Sequence, residues 1–514
     1  MKLGKLVGTL ERPSSLPPDW LDREVLDIAY DSRKVRPGSL FVAVRGFHSD
    51  GHLFILQAVK QGAVAVVTER HNCTAVATGT PQIVVEDSRR ALALLATTFY
   101  GHPSQKLALI GITGTNGKTT TAYLVKAIIE AAGGAAGLIG TIDYRVGDKV
   151  YPAPNTTPES LDLQRLLAEM VGLGATHCVM EVSSHALELG RTLGCTFAAA
   201  AFTNLTQDHL DFHGTMDAYF RAKLLLFSGL APDRSAVVNI DDARAREIIN
   251  ATKAKIITTG MADRADVQPA GTMQHGIRGL VFEVATPWGT IPVESPLVGR
   301  HNIHNILTAV GIGTALGFSS EAIGRGIKNM KAVPGRMEKV DEGQPYGVVV
   351  DYAHTEDALV RLLEAARELA SSRIITVFGC GGDRDRTKRP KMGAAAIRGS
   401  DIVIVTSDNP RTEDPLSIIS EVEQGMTDGM KVSSPDAPPD LVRGRTPYAV
   451  IPDRQTAVAT AIGMAKPGDV VVLAGKGHED YQVIGNAKIH FDDREVAREE
   501  IRKRNAECGV WSAE

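Results

Sequence analysis

A glycine-rich turn followed by a lysine and threonines lies between an apolar run and an amphipathic stretch in LALIGITGTNGKTTTAYLVKAII, residues 107–129. Gly111, Gly114 and Gly117 allow the backbone to turn tightly enough for its N–H groups to face an anion. Lys118 could reach the terminal phosphates of a nucleotide, and Thr119 could offer a hydroxyl to Mg²⁺. The dipole of the helix that begins there favours the same anion.

The spacing of this turn departs from the strict Walker A pattern, because Ile112 stands where that pattern has a glycine. A glycine-rich strand-to-helix turn of another kind is the alternative interpretation. The Lys-Thr pair at the helix start favours ATP or GTP binding.

A second group of polar residues follows another apolar run. Glu181 comes directly after THCVM, where a P-loop enzyme holds its metal. Further on, the stretch AFTNLTQDHLDFHGT carries Asp208, His209, Asp211 and His213. The His-x3-His spacing could put two imidazoles on one helical face as metal ligands. A helix N-terminus with acids in its first turn explains the same residues, and both interpretations stay open.

The stretch TSDNPRTEDP, residues 406–415, raises a similar choice. Polar turn residues with proline are typical of any exit from a strand. The alternative is that Arg411 binds a substrate.

The composition excludes several classes of protein. The 514 residues carry 56 basic and 60 acidic side chains, a net charge of −4, so nothing indicates a nucleic-acid partner. No apolar run is long enough for a membrane span and no signal peptide is evident, which predicts a soluble, cytoplasmic protein. The five cysteines are scattered without a CxxC pair, which predicts buried thiols.

Short apolar runs alternate with amphipathic, alanine-rich stretches, which predicts an α/β fold with largely parallel sheets. At about 150 residues per domain, the length suggests roughly three domains. Connections near YGHPSQK and KAVPGRMEKV place them at residues 1–103, 104–334 and 335–514.

The motifs together resemble those of one family. TGTNGKTTT, MEVSSHAL, TNLTQDHLD, RHNIHNILTA, VPGRME and DYAHTEDAL occur in the order seen in Mur ligases, the ATP-dependent amino-acid adding enzymes of peptidoglycan precursor synthesis. YDSRKVRPGSLFVAVRGFHSDGH resembles the uridine-binding domain of the members that add diaminopimelate. SDNPRTEDP and AGKGHEDYQ resemble the part of those members that reads the amino acid. The resemblance implies a uridine-binding α/β domain, a central P-loop ATPase domain and a C-terminal Rossmann-like domain.

The resemblance also implies a reaction. ATP phosphorylates the γ-carboxylate of UDP-N-acetylmuramoyl-L-alanyl-D-glutamate, the amine of meso-2,6-diaminopimelate attacks the acyl phosphate, and phosphate leaves. Such an enzyme mainly has to position anions and neutralise charge.

Several residues are expected to serve ATP and metal because they match family motifs. The expected ATP-binding residues are Gly114, Thr115, Asn116, Gly117, Lys118, Thr119, Thr120, Asn302, Arg336 and Asp351. Metal ligands for two Mg²⁺ are expected from Thr119, Glu181, His209 and Lys223, the last as a carbamate formed with CO₂. Lys118, Lys223, Glu181 and His209 are the expected catalytic residues. A lone lysine on an amphipathic helix is ordinarily a solvated side chain, so the role of Lys223 comes from the resemblance alone.

The nucleotide-sugar site is also expected from the resemblance, at Ser32, Phe47, His48, Ser49, Asn155, Thr156, Thr157, Ser183 and Arg191. The chain departs from some relatives at Leu189, where they have glutamine.

Selection of diaminopimelate over lysine requires a cation for its distal carboxylate, and arginine's planar fork matches a carboxylate. Arg411 is predicted to bind this carboxylate and Glu479 the distal ammonium. The full predicted set is Arg384, Asp408, Asn409, Pro410, Arg411, Gly475 and Glu479. Three apolar runs, 373–378, 402–406 and 470–474, lead into these loops, so their carboxyl ends should meet at one sheet edge.

Other functions share part of this pattern. Addition of lysine or ornithine is the alternative within the family, and folylpolyglutamate synthetases share the central motifs. A nucleotide-binding regulator without ligase chemistry is a further alternative. Family members usually act as monomers, which is the expectation here.

Overall fold

The computed structural model describes the chain except for residues 12, 15, 47–48, 71–78, 263, 435–443 and 508–514. The chain divides into two compact units. The first comprises residues 1–269, 284–291 and 304–326, and the second comprises residues 270–283, 292–303 and 327–514.

The first unit contains two sheets. The four-stranded sheet has the order β1-β2-β3-β4, and all its pairs are parallel. Its strands are β1 (Asp27–Ala29), β2 (Ser39–Val42), β3 (Ala65–Thr68) and β4 (Gln82–Val84).

The eight-stranded sheet of the first unit has the order β12-β11-β10-β5-β9-β6-β7-β8. Its strands are β5 (Ala108–Thr113), β6 (Ala136–Ile139), β7 (Asp143–Val146), β8 (Lys149–Pro152), β9 (His177–Glu181), β10 (Phe197–Phe202), β11 (Ser235–Asn239) and β12 (Lys255–Thr259). The pairs from β12 to β6 are parallel, and only β7 and β8 are added antiparallel.

Three further sheets follow along the chain. A three-stranded sheet is formed by β13 (Gln268–Gly276), β14 (Gly279–Thr286) and β15 (Gly289–Ser295). A seven-stranded sheet has the order β16-β17-β22-β18-β19-β21-β20. Its strands are β16 (Glu338–Lys339), β17 (Gly347–Asp351), β18 (Ile374–Phe378), β19 (Ile402–Val405), β20 (Gly429–Lys431), β21 (Thr446–Val450) and β22 (Val470–Ala474). A hairpin of β23 (Tyr481–Ile484) and β24 (Ala487–His490) completes the set.

Helices connect most of these strands. Those of the first unit are Leu3–Val7, Pro18–Leu21, Ile55–Lys60, Ser88–Phe99, Lys118–Ala131, Ser160–Gly172, Ser184–Glu188, Leu210–His213, Met216–Ser228 and Ala245–Ala251. His301–Ala315 and Ser320–Asn329 follow, and then Glu356–Leu369, Lys388–Gly399, Pro415–Glu423, Arg454–Met464 and Asp493–Glu507 in the second unit. The predicted α/β alternation with largely parallel sheets is confirmed.

The seven-stranded sheet is buried on both faces, which explains the continuous apolar runs in its strands. In β22, Val470, Val472 and Ala474 pack into the core on one face, and Val471 and Leu473 pack into the core on the other. The alternation follows from the two-residue period of a strand. The three predicted strands that lead into the amino-acid loops are therefore central, well-packed elements.

A buried ion pair joins two helices of the second unit. The side chains of Arg454 and Asp493 are both 0% exposed. Arg454 Nε and Nη2 donate to the two Asp493 carboxylate oxygens at 2.8 and 2.7 Å. Nη2 also donates to the carbonyl of Ala474, at the end of β22, at 3.0 Å.

We expect Arg454→Met to destabilise the protein by about 3–5 kcal/mol, because it leaves the Asp493 carboxylate buried without its partner. Thermal and denaturant unfolding should show the loss as an earlier transition. The double variant Arg454→Met/Asp493→Leu should recover much of the stability. Equal destabilisation in the single and the double variant would contradict this account.

Within the described residues, Cys178 and Cys380 are buried free thiols, and Cys195 is a partly buried free thiol. Cys73 and Cys508 lie outside the described residues. No helix in the described parts of the chain is long and apolar enough to cross a membrane.

Candidate active site

The glycine-rich turn lies between β5 and the helix Lys118–Ala131, as predicted, but Gly111, which was expected in the turn, lies within β5. Gly114 and Gly117 both have positive φ, 148° and 83°. A Cβ atom at Gly114 would lie 1.9 Å from Thr203 Oγ1, so no side chain fits there. The first N–H groups of the helix have no partners within the helix, which is the arrangement that accepts an anion.

The turn is held by the segment that follows β10. The amide of Thr115 donates to the carbonyl of Asn204 at 2.8 Å, and the amide of Asn116 donates to Asn204 Oδ1 at 3.0 Å. Lys118 Nζ donates to the carbonyls of Gly114 and Thr115 at 3.0 and 2.8 Å. The lysine side chain therefore curves back over the turn.

Glu181 ends β9, the strand that pairs with β5, as the sequence predicted. Its carboxylate is buried and accepts a hydrogen bond from Thr119 Oγ1 at 3.0 Å. Thr141 donates to the same carboxylate through its amide at 2.9 Å and its hydroxyl at 3.0 Å. Sequence reasoning missed Thr141, although its position just after β6 was the available signal.

These groups suit a magnesium ion. Hydroxyl and carboxylate oxygens are hard ligands, and Mg²⁺ is usually held by one or two carboxylates with waters and substrate phosphates completing the octahedron. Thr119 and Glu181 could contribute in this way. Among the described residues, no three His, Cys, Asp or Glu side chains form a metal-binding group.

Lys223 lies on the helix Met216–Ser228 and is 1% exposed, so it is not the solvated side chain that its sequence context suggests. Its Nζ donates to the carbonyl of Gly114 at 2.8 Å and lies 4.3 Å from the ring centroid of Tyr219. No carboxylate in the described parts of the chain forms an ion pair with it. Burial, reinforced by the nearby Lys118, holds the pKa of Lys223 well below that of a free lysine.

His209 and His213 belong to a cluster of aromatic rings around His185. The ring centroid of His185 lies 4.8 Å from that of His209 and 5.5 Å from that of His213. Burial lowers the pKa of His209 and His213, and burial together with the neighbouring rings lowers that of His185 to about 4. Asp211 lies in the first turn of the short helix Leu210–His213. The rings are therefore neutral near pH 7, and a metal role for His209 stays a prediction.

The predicted nucleotide-sugar residues of the first hundred positions are partly described. Ser32 is buried, and its hydroxyl donates to Gln57 Oε1 at 3.1 Å. Ser49 is exposed, and its carbonyl accepts from the amide of Gly46 at 2.9 Å. Phe47 and His48 lie outside the described residues.

The stretch Asn155-Thr156-Thr157 lies beside the Glu181 site. Asn155 is exposed, and Thr156 Oγ1 lies 3.1 Å from Thr141 Oγ1, whose hydroxyl contacts Glu181. Thr157 is buried, and its hydroxyl donates to the carbonyl of Glu181 at 2.9 Å. This segment is thus linked directly to the end of β9.

Ser183 and Arg191 converge on the same segment. The amide of Ser183 donates to Thr157 Oγ1 at 3.1 Å. Arg191 Nη1 donates to the carbonyl of Thr157 at 3.0 Å, and Nη2 forms an ion pair with Glu159 at 2.8 Å. Leu189 ends the helix Ser184–Glu188, with its amide donating to the carbonyl of His185. The structure brings these predicted substrate residues together.

Three predicted ATP-binding residues belong to the second unit. Asn302 is buried. The guanidinium carbon of Arg336 lies 5.5 Å from the ring centroid of Tyr352, and its buried Nε has no hydrogen-bond partner among the described residues. Asp351 accepts from the amide of Met337 at 2.7 Å, and burial raises its pKa.

The predicted amino-acid loops meet at one sheet edge, since β22, β18 and β19 are adjacent and parallel. The amide of Gly382 donates to the carbonyl of Asn409 at 2.9 Å. Asn409 Nδ2 donates to Glu479 Oε2 at 2.8 Å. The three loops are therefore joined by direct hydrogen bonds.

Arg411 has an uncommon backbone conformation, with φ of 52°. Its amide donates to the carbonyl of Val483 at 3.0 Å, and its Nη1 donates to the carbonyl of Gly382 at 2.8 Å. Arg384 is exposed, and its Nη1 donates to the carbonyl of Asp383 at 3.0 Å. Among the described residues, neither arginine forms an ion pair with a carboxylate. Both guanidinium groups keep the capacity to bind an acidic ligand.

The other predicted residues of this site are buried around the same loops. Asp408, Asn409, Pro410 and Gly475 are all buried. Gly475 has a φ of 112°, which favours glycine at that position.

Family models match three stretches of the chain. Residues 25–100 match "Mur ligase family, catalytic domain", residues 112–313 match "Mur ligase middle domain", and residues 335–477 match "Mur ligase, glutamate ligase domain".

Relatives match over nearly the full length. A protein of Solibacter usitatus named UDP-N-acetylmuramoyl-L-alanyl-D-glutamate--2,6-diaminopimelate ligase is 48% identical, with 98% of each chain covered. A protein of Geobacillus thermodenitrificans with the same name is 47% identical over 96% of this chain and 98% of its own. The chain belongs to the Mur ligase family. A solved structure titled with the same ligase name has a TM-score of 0.71 and 33% identity, with 98% of this chain and 99% of that chain covered.

These matches confirm the predicted family and its three-domain α/β fold. The structure also shows a buried arginine, missed by sequence reasoning, that links two of the predicted amino-acid loops. Arg389 is buried and donates to both carboxylate oxygens of Glu413, to Glu421, and to the carbonyl of Gly381. It thus ties the loop after β18 to the loop after β19. An arginine at a helix start carries no sequence signal for such a role.

Proposed function

We propose that this chain is an ATP-dependent ligase that adds meso-2,6-diaminopimelate to the D-glutamyl γ-carboxylate of UDP-N-acetylmuramoyl-L-alanyl-D-glutamate, in peptidoglycan precursor synthesis. The relatives that match over nearly the full length are named for this activity, which confirms the predicted reaction. Within the structure, the proposal rests on Arg411, because its guanidinium lies at the predicted substrate-binding edge and forms no ion pair with a carboxylate among the described residues.

The first chemical step is transfer of the γ-phosphoryl group of ATP to the substrate carboxylate. We assign the phosphates to Gly114, Thr115, Asn116, Gly117, Lys118, Thr119 and Thr120. The turn supplies backbone N–H groups, and Lys118 can exchange its carbonyl contacts for phosphate oxygens. Asn302, Arg336 and Asp351 are proposed to contact the nucleoside end. Such a site works by positioning and charge neutralisation.

Magnesium would be held by Thr119 and Glu181, and it would neutralise charge that develops on the transferred phosphoryl group. The buried hydroxyl–carboxylate contact at 3.0 Å supports this assignment. His209 and a carbamate on Lys223 are proposed for a second ion. A neutral amine is the form that adds CO₂, and burial favours that form of Lys223.

The nucleotide sugar is proposed to contact Ser32, Phe47, His48 and Ser49, with the dipeptide along residues 155–157, Ser183 and Arg191. The links from Thr157 to Glu181 and Arg191 support this placement, because they bring the peptide-binding stretch next to the metal-binding carboxylate. The carboxylate to be phosphorylated would then lie close to the phosphate-binding turn.

The amino acid is proposed to bind with its distal carboxylate at Arg411 and Arg384 and its distal ammonium at Glu479. Asp408, Asn409, Pro410 and Gly475 shape this site. Both signs of charge are present at one edge, which suits a zwitterionic group. Lysine has no distal carboxylate and would leave Arg411 without an anion, which costs roughly 1–3 kcal/mol.

We expect phosphate release from ATP to require both UDP-N-acetylmuramoyl-dipeptide and meso-diaminopimelate. Lysine and ornithine, offered side by side, should support at least about tenfold lower kcat/KM, because discrimination by an unpaired charged group is worth 1.4 kcal/mol or more. A coupled phosphate assay with product identification by mass spectrometry measures this. Equal use of lysine would contradict the specificity, and phosphate release without substrate dependence would indicate a nucleotide-binding regulator.

The domain boundaries at residues 1–103, 104–334 and 335–514 are proposed as well. They separate the four-stranded, eight-stranded and seven-stranded sheets from one another. We also propose that the protein acts in the cytoplasm as a monomer on small-molecule substrates.

A further inference from the structure

Lys476, in the loop after β22, is a buried lysine between two of the amino-acid loops. It is 0% exposed. Its Nζ lies 3.3 Å from Asp408 Oδ1, 3.3 Å from Asn409 Oδ1 and 3.6 Å from Glu479 Oε2. One ammonium group therefore contacts the loop after β19 and the glutamate of its own loop.

The direct ion pairs of this cluster do not balance, and Arg411 acts on Glu479 only from beyond ion-pair distance. Lys476 brings one positive charge against the two carboxylates of Asp408 and Glu479. The other contacts of Glu479 are neutral, with Asn409 Nδ2 at 2.8 Å and the hydroxyl of Tyr481 at 3.4 Å. Because a buried charge requires a partner, the remaining negative charge favours a cation from outside the cluster.

The ionisation of Glu479 depends on this balance. Burial and the negative charge of Asp408 raise the pKa of Glu479, whereas Asn409, Lys476 and Arg411 lower it. Tyr481, Tyr352 and Arg454 also interact electrostatically with Glu479. Removal of Lys476 would take away a positive charge and leave two carboxylates facing each other, which raises the pKa of Glu479 further.

We propose that Lys476 is a positioning residue that keeps Glu479 ionised and oriented to bind the distal ammonium of the incoming amino acid. This rests on the proposed function. Lys476 acts through Glu479, and its burial leaves no surface of its own for the substrate. Asn409 completes the arrangement, since it contacts Lys476 through its carbonyl oxygen and Glu479 through its amide nitrogen.

The test is Lys476→Met, which removes the charge at similar volume. We expect KM for diaminopimelate to rise at least tenfold at neutral pH while kcat changes much less. The ratio of variant to wild-type kcat/KM should fall as pH is lowered, because Glu479 becomes protonated at a higher pH in the variant than in the wild type. The ionisation of the attacking amine of the substrate affects kcat/KM of both enzymes equally, so its effect cancels in the ratio.

A substrate analogue and a surface variant provide the controls. With 2-aminopimelate, which keeps the distal carboxylate but lacks the distal amine, the ratio should not depend on pH. Lys391→Met changes an exposed lysine of the same unit and should behave as wild type. A raised KM with a pH-independent ratio for diaminopimelate would overturn the proposal, because it would show a merely structural role.

The effect of Lys476 can also be measured without the single variant, should that variant not fold. Asp408→Asn removes the like charge, and Asp408→Asn/Lys476→Met then removes the ammonium as well. Relative to Asp408→Asn, the double variant should lose kcat/KM for diaminopimelate progressively as pH falls. If the two variants show the same pH dependence of kcat/KM, the proposal is overturned. Absence of diaminopimelate-dependent turnover in the wild type would instead contradict the proposed function.

Discussion

Lys223→Ala should lower kcat by at least about 100-fold, as expected for loss of a group that helps to hold a catalytic metal. The lysine is buried beside the glycine-rich turn and forms no ion pair with a carboxylate among the described residues, and burial favours the neutral amine, the form that can take up CO₂. Added formate or acetate should restore part of the activity, because a small carboxylate can occupy the space left by the carbamate. The measurement is phosphate release with and without the added carboxylate.

A spectroscopic measurement separates this role from a general effect on the fold. Wild-type enzyme equilibrated with ¹³C-bicarbonate should show a carbamate carbon signal that is absent in Lys223→Ala. Arg221→Ala is the matched control, because Arg221 is exposed on the same helix. An unimpaired Lys223→Ala enzyme, or the same carbamate signal in that variant, would refute the assignment.

Arg411→Lys should lower kcat/KM for diaminopimelate by about 10- to 100-fold, which corresponds to the loss of one hydrogen bond to a charged group. An ammonium is a point charge and cannot make the bidentate contact of a guanidinium. Use of lysine should stay unchanged or improve, since lysine has no distal carboxylate for Arg411 to bind. The measurement is kcat/KM for both amino acids with the wild type and the variant.

Arg398→Lys is the control for this substitution. Arg398 is exposed in the same unit, where it lies 3.9 Å from Glu356. It should leave the ratio of the two specificity constants unchanged. If Arg411→Lys lowers kcat/KM for both amino acids equally, Arg411 shapes the loop and does not select the substrate.

Much of the fold followed from the sequence because its signals are local. The apolar runs that became β18, β19 and β22 are buried on both faces, so each is a continuous hydrophobic segment. The signal for the glycine-rich turn is also local, since the glycines, the lysine and the start of the helix follow one another in the sequence. The rule that the ends of parallel strands share one edge then predicts that the amino-acid loops lie together.

Other features depend on contacts between residues far apart in the chain. The burial of Lys223 is the clearest example, since a lysine on an amphipathic helix predicts a solvated side chain. Its Nζ instead contacts Gly114, 109 positions earlier. Lys476 and Asp408 are 68 positions apart, and Thr141 and Glu181 are 40 apart.

The sequence by itself determined the family and the α/β architecture, and it predicted the set of loops proposed to form the site. It also predicted a turn after a strand at Asp408-Asn409-Pro410-Arg411, because those residue types favour turns. Only the tertiary structure decided that Arg411 forms no ion pair with a carboxylate among the described residues, that Lys223 is buried and that Lys476 joins two loops. The physical reason is that burial and electrostatic environment are set by packing between distant segments, which no local pattern encodes.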